Sequence, residues 1–585
     1  MQAHKCRTVE QIRLGSMRQW PCARFLTLIG LAGMLVACGS SGLNEPTGAA
    51  PDSTSGTEHL TAAEVQTIIA QAATQAQAVG LPVTIAVLDH EGTRLGILQM
   101  AGARTTTTIQ GGGSGGLEGA TLPGSAAFAA ISKAGTGAFF GTQGNAFSTR
   151  SASFIVQEHF PPQVSPSPGG PLFGVQFSSL QCSNVNRTNH PAGPTTLPST
   201  NAANLPLGLS ADPGGLPLYK NGIAVGGIGV EGDGLYTLDQ DPAHSSQTLE
   251  EVIAAGGTLG FSAPSGIRGD QILVDGISIP FADAEPPASL NTIPYASFAA
   301  AGTVLQTPRD SPPTGFSPAS VGGVSGSMDL NFPITASATP GGLTVQEVTQ
   351  LLAQAAVQAN RTRAAIRNPL GSSARVSITV VDTAGTILGI FRTTDAPIFG
   401  FDVSVQKARS ANFFTGPTAA VNLTAAGLGG YSSAMTSNGV PLNGSIAFSD
   451  RGVGFLSQPF FPPAASAPFG PGPLSKPLGQ WSIFNTGLQL DALVLPNVLA
   501  GTPNCTSLAS AANGFQIFPG SVPLYKGSTL VGAIGVSGDG VDQDDLIAAM
   551  GSVGFEAPAG IRSDTRLVQG VRLPYTVFPR NPNLF

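Results

Sequence analysis

Charge is scarce in this chain: Asp, Glu, Lys and Arg supply 10% of its 585 residues, against about 25% in an ordinary globular protein. With 27 basic and 34 acidic residues the formal charge is −7, and no Lys/Arg run occurs. A phosphate backbone is therefore not its partner. Long apolar runs are missing too; the stretch Phe25–Ala37 has thirteen residues, short of the ~20 that span a bilayer as a helix. There is no HExxH or CxxC, and no His after His244, which removes zinc-protease and dithiol chemistries and leaves the second half without the usual hydrolase base. What is abundant is Gly (76), Pro (47) and a 42% hydrophobic fraction. That mixture excludes collagen, coiled coil and charge-rich disorder, and leaves Ser, Thr, Gly, Pro and Asn to solvate the surface. The length suggests about four domains or two large ones.

Arg18 and Arg24 precede the apolar run, and Leu35-Val36-Ala37-Cys38 follows it. This resembles the lipobox of bacterial lipoprotein signal peptides, in which the Cys is acylated. Residues 1–38 are thus expected to be a signal peptide, with Cys38 lipidated and 39–57 a polar tether. Gly39, where inner-membrane lipoproteins typically carry Asp, implies an outer-membrane anchor facing the periplasm or the cell surface. Cys6 and Cys22 leave with the signal, so Cys182 and Cys505 remain. They are open to one disulfide, which would tie one half of the chain to the other, or to two buried thiols.

The chain repeats itself. LTAAEV (60–65) returns as LTVQEV (343–348), VTIAVLD (83–89) as VSITVVD (376–382), and FPP (160–162) as FPP (461–463). LPLYKNGIAVGGIGVEGDG (216–234) returns as VPLYKGSTLVGAIGVSGDG (522–540), and GFSAPSGIRGDQILVDGISIPF (260–281) as GFEAPAGIRSDTRLVQGVRLPY (554–575). Two modules follow, 58–284 and 342–585, with a Pro/Gly/Ser-rich segment 285–341 that reads as a linker. Thr61-x-x-Glu64 and Thr344-x-x-Glu347 are capping boxes, with Leu60/Val65 and Leu343/Val348 as hydrophobic staples. Alternating Val83, Ile85, Val87 and Val376, Ile378, Val380 predict a strand, followed by a tight turn at Asp89 or Asp382 and a second strand. Helices are expected at about 125–138 and 402–413, a hairpin at PLYK, and a last helix at about 247–256 and 543–551. Short turns between neighbouring strands argue for an α+β fold, each module an antiparallel sheet with helices packed on it in profilin-like layers.

The LTxxEV helix, the VxIxVxD strand, the helix Asp402–Ala411, Pro523-Leu-Tyr-Lys526, Gly532–Gly540 and Gln543-Asp544 together resemble the GlcG/HbpS-like haem-binding (haem-degrading) family. The second module carries the full pattern; the first has Ala127–Ala134 in place of the Lys-Ala-Arg element. The resemblance implies haem or small-ligand binding, assembly as a homo-oligomer or an internal pseudo-dimer, and a site in the second module. Lys407 and Arg409 are the cations for propionates or another carboxylate. They lie roughly 200° apart around a helix, so Arg409, nearer the stripe Val403, Val405, Ala408, Ala411, is expected to border the pocket while Lys407 looks outward. Gly535, Gly538, Asp539 and Gly540 would offer turn amides beside it, and Gly135 marks the equivalent, structural place in the first module. His90 and His159 are the candidate iron ligands. The acidic groups Asp539, Asp542, Asp544, Asp545 and Asp233, Asp239, Asp241 are oxygen-rich enough for Ca²⁺ but lack EF-hand register, and capping of the last helix accounts for them better. The expected function is non-catalytic binding of haem or a small anion by a lipid-anchored extracytoplasmic protein. A structural module of the envelope and a haem-degrading or small-acid enzyme are the alternatives.

Overall fold

The computed structural model describes residues 58–111, 117–121, 124–162, 164, 167–185, 205–239, 247–274, 276–462, 470–476, 487–493 and 505–579. Cys38, the signal and tether, His190, Asp241 and His244 lie outside them. Residues 54–585 form one compact unit.

In the first module, α1 (Ala62–Val79) starts at Thr61, whose hydroxyl accepts from the Glu64 amide while the Glu64 carboxylate accepts from the Thr61 amide. Strands β1 (Thr84–Asp89) and β2 (Arg94–Gln99) meet at a turn held by Asp89, whose Oδ1 accepts from the amides of Glu91 (3.0 Å) and Thr93 (2.7 Å). Then come α2 (Ser125–Phe140), α3 (Thr149–Ile155), the hairpin β3 (Gly215–Lys220) and β4 (Ile223–Glu231), and α4 (Leu249–Gly257). Alternation along β1 divides its residues between two cores. Ile85 and Val87 pack with Val65 and Ile68 of α1 and Ile253 of α4, while Ala86 and Leu88 pack with Ala130 and Ala134 of α2. The sheet is therefore buried on both faces, helix layers lying above and below it.

Between the modules lie α5 (Tyr295–Ala301), β5 (Thr303–Gln306), β6 (Phe316–Val321) and β7 (Val324–Asp329). The second module repeats the first: α6 (Val345–Arg361), β8 (Val376–Asp382), β9 (Ile387–Thr393), α7 (Phe399–Thr415), then α8 (Ala419–Ala425) and α9 (Gly429–Ser437) without counterpart in the first module, α10 (Asp450–Leu456), the hairpin β10 (Ser521–Lys526) and β11 (Thr529–Gly538), and α11 (Val541–Gly551). Thr344 and Glu347 form the same reciprocal cap. Register repeats as well: Val87 faces Ile228 in one sheet and Val380 faces Ile534 in the other, and bulges fall after Val87 and Val380.

The segment 285–341 is a correction to the linker reading. β5 extends the first sheet, giving the order β3-β4-β1-β2-β5, and β6-β7 extend the second, giving β6-β7-β9-β8-β11-β10. Its strands are half exposed and rich in Ser, Ala and Gly, so they carry little of the β-branched periodicity that betrays a strand. Tertiary pairing makes them strands.

The two modules lock together through cores that both supply. Phe140 stacks on Phe399 with ring centroids 4.3 Å apart, and Ile131 and Phe139 share a cluster with Ile398, Val403 and Phe518. Cys182 and Cys505 are joined by a disulfide, Cα to Cα 4.9 Å, across 323 positions of sequence. A loop of that size stabilises by up to about 5 kcal/mol in chain-entropy models. Residues 54–585 denatured without reductant should show no titratable thiol, and Cys505→Ser should lower the melting temperature; a free thiol in the unreduced wild-type fragment would refute the bridge.

Candidate functional site

Each module buries one lysine under its sheet, and this lysine organises a polar cluster in each half. Lys133 on α2 and Lys407 on α7 occupy equivalent places and are both fully buried. A buried ammonium must be paired or lose its proton. Lys133 Nζ lies 2.6 Å from Glu250, 2.9 Å from Asp212 and 3.0 Å from Glu231. Glu250 opens α4 and also accepts from the amides of Gly232 and Asp233; Glu231 ends β4 and accepts from Thr107 Oγ1 and the Gly234 amide. Lys407 Nζ donates to Asp544 (2.9 Å) on α11 and to the Val536 carbonyl (2.8 Å), and sits 4.7 Å from the centre of the Phe518 ring. Phe518 and Ser537 thus stand where the first module has Asp212 and Glu231.

A second pair repeats alongside. Arg150 on α3 binds Glu251 (2.8 Å), Asp239 and Asp283, and Arg451 on α10 binds Asp545 and Asp542. Of the acids weighed as a Ca²⁺ set, Asp239, Asp539, Asp542, Asp544 and Asp545 are ion-paired with cations of the chain, and Asp233 accepts from the Leu235 amide. Carboxylate oxygens of Asp212, Glu231 and Glu250 lie within 4.8 Å of one another, a spacing that suits a metal, but the Lys133 ammonium stands in their midst and supplies the positive charge.

Three carboxylates and one ammonium leave an excess of negative charge inside the fold, and titration responds. Burial opposes the Lys133 charge, yet the surrounding carboxylates more than offset it and hold its pKa well above the usual lysine value. Burial pushes Glu231 up to about 8 against the pull of Lys133, and raises Asp212 and Glu250. In the second module burial takes Asp544 to about 6 and lifts Asp450 well above the carboxylate range. Asp450 faces Lys407 and Ser521, and neither of its oxygens is in good hydrogen-bonding geometry.

The residues expected to form one ligand site do not converge on a cavity. Lys407, expected to look outward, points into the sheet. Arg409 points the other way, donating to the Gly385 carbonyl (2.9 Å), Asn513 (2.5 Å) and Asn184 (3.0 Å). All of α7 is buried. The reason is chain from the other module: residues 177–184 lie across it, with Ser179 and Ser183 donating to Asp402 (2.7 Å each) and Gln406 donating to the Phe177 carbonyl (2.9 Å). Gly535 and Gly538 are strand residues rather than turn amides; a Cβ at Gly535 would collide with the Ser404 carbonyl of α7, and one at Gly538 with the Arg375 carbonyl. Gly540, φ 139°, opens α11. Asp539 is fully buried and accepts from Arg367 Nε (2.6 Å), the Arg375 amide (3.0 Å) and Asn145 of the first module (3.3 Å), so it serves the module contact.

Nor do the candidate iron ligands lie on an open face. His90 Nε2 is 2.8 Å from the Gly141 carbonyl, and burial lowers its pKa. His159 Nδ1 is 2.9 Å from the Ser167 carbonyl and its ring lies 4.8 Å from that of Phe460. Tyr219 donates to the carbonyls of Thr142 and Asn145. A recess beside Leu216, Arg268 and Phe281 has room for about one water molecule. Among the described residues the predicted haem set does not fit the group: its cations are engaged internally and its imidazoles bond to backbone.

The Lys133 cluster was missed because its acids come from three separate segments. Its signal was the alignment of Ser132-Lys133-Ala134 with Gln406-Lys407-Ala408, one invariant charge inside an otherwise altered helix.

The fold and these clusters define a two-module α+β protein with a charged interior. Residues 489–552 match the family model described as haem degrading protein HbpS-like, a stretch that includes β10, β11 and α11. Among solved structures the chain is similar to Klebsiella pneumoniae protein ORFY, at 18% identity over 37% of this chain and 98% of that one, with a TM-score of 0.22. It is also similar to PduOC in a haem complex, at 16% identity over 37% and 97% of the two chains, with a TM-score of 0.21. Scores of that size carry no inference about a ligand here. No curated protein matches the chain.

Because the folded pKa of Glu231, Asp212, Glu250, Asp544 and Asp450 lies above the unfolded value near 4, the folded state keeps protons that the unfolded state has released. Stability should therefore fall as pH rises from about 5 to about 8. Melting followed by circular dichroism across that window tests this, and a flat or rising profile would contradict it. Asp450→Asn, which fixes the neutral form, should make the decline shallower.

Proposed function

We propose that the protein is an exported, lipid-anchored, non-catalytic binding protein of the HbpS-like kind, with haem or another small anion as its ligand class. The observation that carries this reading is the match of residues 489–552 to the HbpS-like model. Lys407 and Arg409 are engaged inside the fold, so an anion meets other groups, and Arg409 acts as a tie between modules. Haemin titrated into residues 54–585 should produce a Soret band that saturates. If neither a band nor a change in melting temperature follows, the ligand assignment fails.

A second reading, a structural or interaction module of the cell envelope, is favoured by one observation: both modules close on each other through shared cores and a disulfide. It predicts the negative outcome of the haemin titration.

Anchoring rests on the sequence LVAC at 35–38. Cys38→Ser should shift the protein from the membrane fraction towards the soluble one on detergent partitioning; unchanged partitioning would refute acylation at that residue.

A further inference from the structure

The two modules end in equivalent short hairpins whose surfaces have opposite character. In the first, Leu273–Val274 pairs with Ile277–Ser278; in the second, Leu567–Val568 pairs with Val571–Arg572. Each presents an exposed leucine at the same place, Leu273 at 61% and Leu567 at 67%. Around Leu273 the sequence offers Arg268, Asp270 and Asp275; around Leu567 it offers Arg562, Arg566 and Arg572 with Asp564 as the sole acid. Ile272 is replaced by Arg566, Asp275 by Gln569 and Ser278 by Arg572. A chain with a net charge of −7 and few charges of any kind has gathered three guanidinium groups beside an exposed leucine.

Among the described residues one carboxylate faces the three guanidinium groups, and Arg562 also lies 4.4 Å from the centre of the Tyr575 ring. Asp564 is shared by Arg562 (2.8 Å) and Arg572 (3.4 Å), whose side chain is 70% exposed. Arg566 reaches the Ser445 carbonyl (3.5 Å). Among the described residues the neighbouring surface adds no acid: Gln569 donates to Asn438 just after α9, and residues 410–449, which include α8 and α9, contain no charged side chain. Asp491, which Tyr431 of this insert contacts, is paired with Lys476. Val421 of α8 is exposed. Arg566, Arg572 and the uncharged helical insert are absent from the first module.

We propose that the Leu567–Arg572 hairpin is a contact for an anionic phospholipid surface. Guanidinium groups pair with headgroup phosphates while the leucine enters the apolar edge of the interface. An exposed hairpin suits an extended surface better than a small molecule, which takes a concave pocket. Three arginines without interleaved aromatic side chains do not make a nucleic-acid track. The contact goes beyond the proposed function and does not require acylation, since the hairpin lies in residues 54–585, a compact unit with cores of its own.

Co-sedimentation of residues 54–585, which lack Cys38, with vesicles of phosphatidylcholine alone or mixed with phosphatidylglycerol tests it. Binding should require phosphatidylglycerol and weaken in high salt. Arg566→Gln with Arg572→Gln should reduce it at least about tenfold, Leu567→Asp should reduce it as well, and Leu273→Asp in the first module should leave it unchanged. All three variants should keep the wild-type melting temperature. Absence of binding, equal binding to the two vesicle types, or undiminished binding by the double arginine variant overturns the proposal. Because the fragment has no acylation site, none of these outcomes bears on the lipid anchor, and haemin titration of the same fragment reads the ligand assignment separately.

Discussion

A lysine that cannot reach water sets the terms for each module. Lys133 and Lys407 stand on the helix that covers one face of the sheet, and an acid at the start of the last helix, Glu250 or Asp544, meets each of them. The pair joins the helix layers of opposite faces around the end of the inner strand, so α2 and α4, or α7 and α11, cannot shift independently. Removing one member of such a pair strands a charge in a low-dielectric interior, a loss of about 3–5 kcal/mol. The arginine pairs Arg150–Glu251 and Arg451–Asp545 repeat the device one residue along the same last helices. Apolar packing supplies the mass of the core, and these ion pairs specify which helix faces which.

From that shared frame the modules have diverged in chemistry. The first surrounds its lysine with three carboxylates. The second replaces two of them with Phe518 and Ser537 and introduces Asp450 where the first has Thr149, whose hydroxyl accepts from the Gly215 amide (2.9 Å). The second helix follows the same logic: α2 is small and apolar, with Gly137 close to β3 and Gly227 and Gly229 of β4 close to it, whereas α7 carries Asp402, Gln406 and Arg409, each bonded in part by chain from the first module. One copy supplies partners to the other, although each also keeps a core of its own on one face of its sheet. Divergence and mutual dependence go together here, because a polar group buried in one module obliges the other to keep its partner.

Much of the fold was legible locally. The capping boxes at Thr61 and Thr344, the Asp89 and Asp382 turns and the PLYK hairpins are satisfied within a few residues of sequence, so their hydrogen bonds appear as spaced letters. The site was far less legible. The helical wheel of α7 correctly set Lys407 and Arg409 on different sides, but it assigned one of them to solvent. It has no term for a strap from 223 positions away, as with Ser179 and Asp402. The glycines of 535–540 read as a ligand-facing turn because a Gly-rich string does not say whether its missing side chains make room for a ligand or for other chain; Ser404 and Ala408 fill the space at Gly535, and Arg375 and Val376 that at Gly538.

What the sequence by itself determined is the part governed by short-range chemistry: two copies of one α+β module, where their helices begin, where their strands turn, and that few charges are present to be placed. Tertiary structure alone decided what those charges do. Pairing of β5 with one sheet and β6-β7 with the other made strands of a segment with no strand pattern of its own. Closure of one module on the other turned Arg409 and Asp539 from surface candidates into internal ties. A charge's role depends on its distance to partners and to water, and both distances arise only when remote segments of chain are brought together.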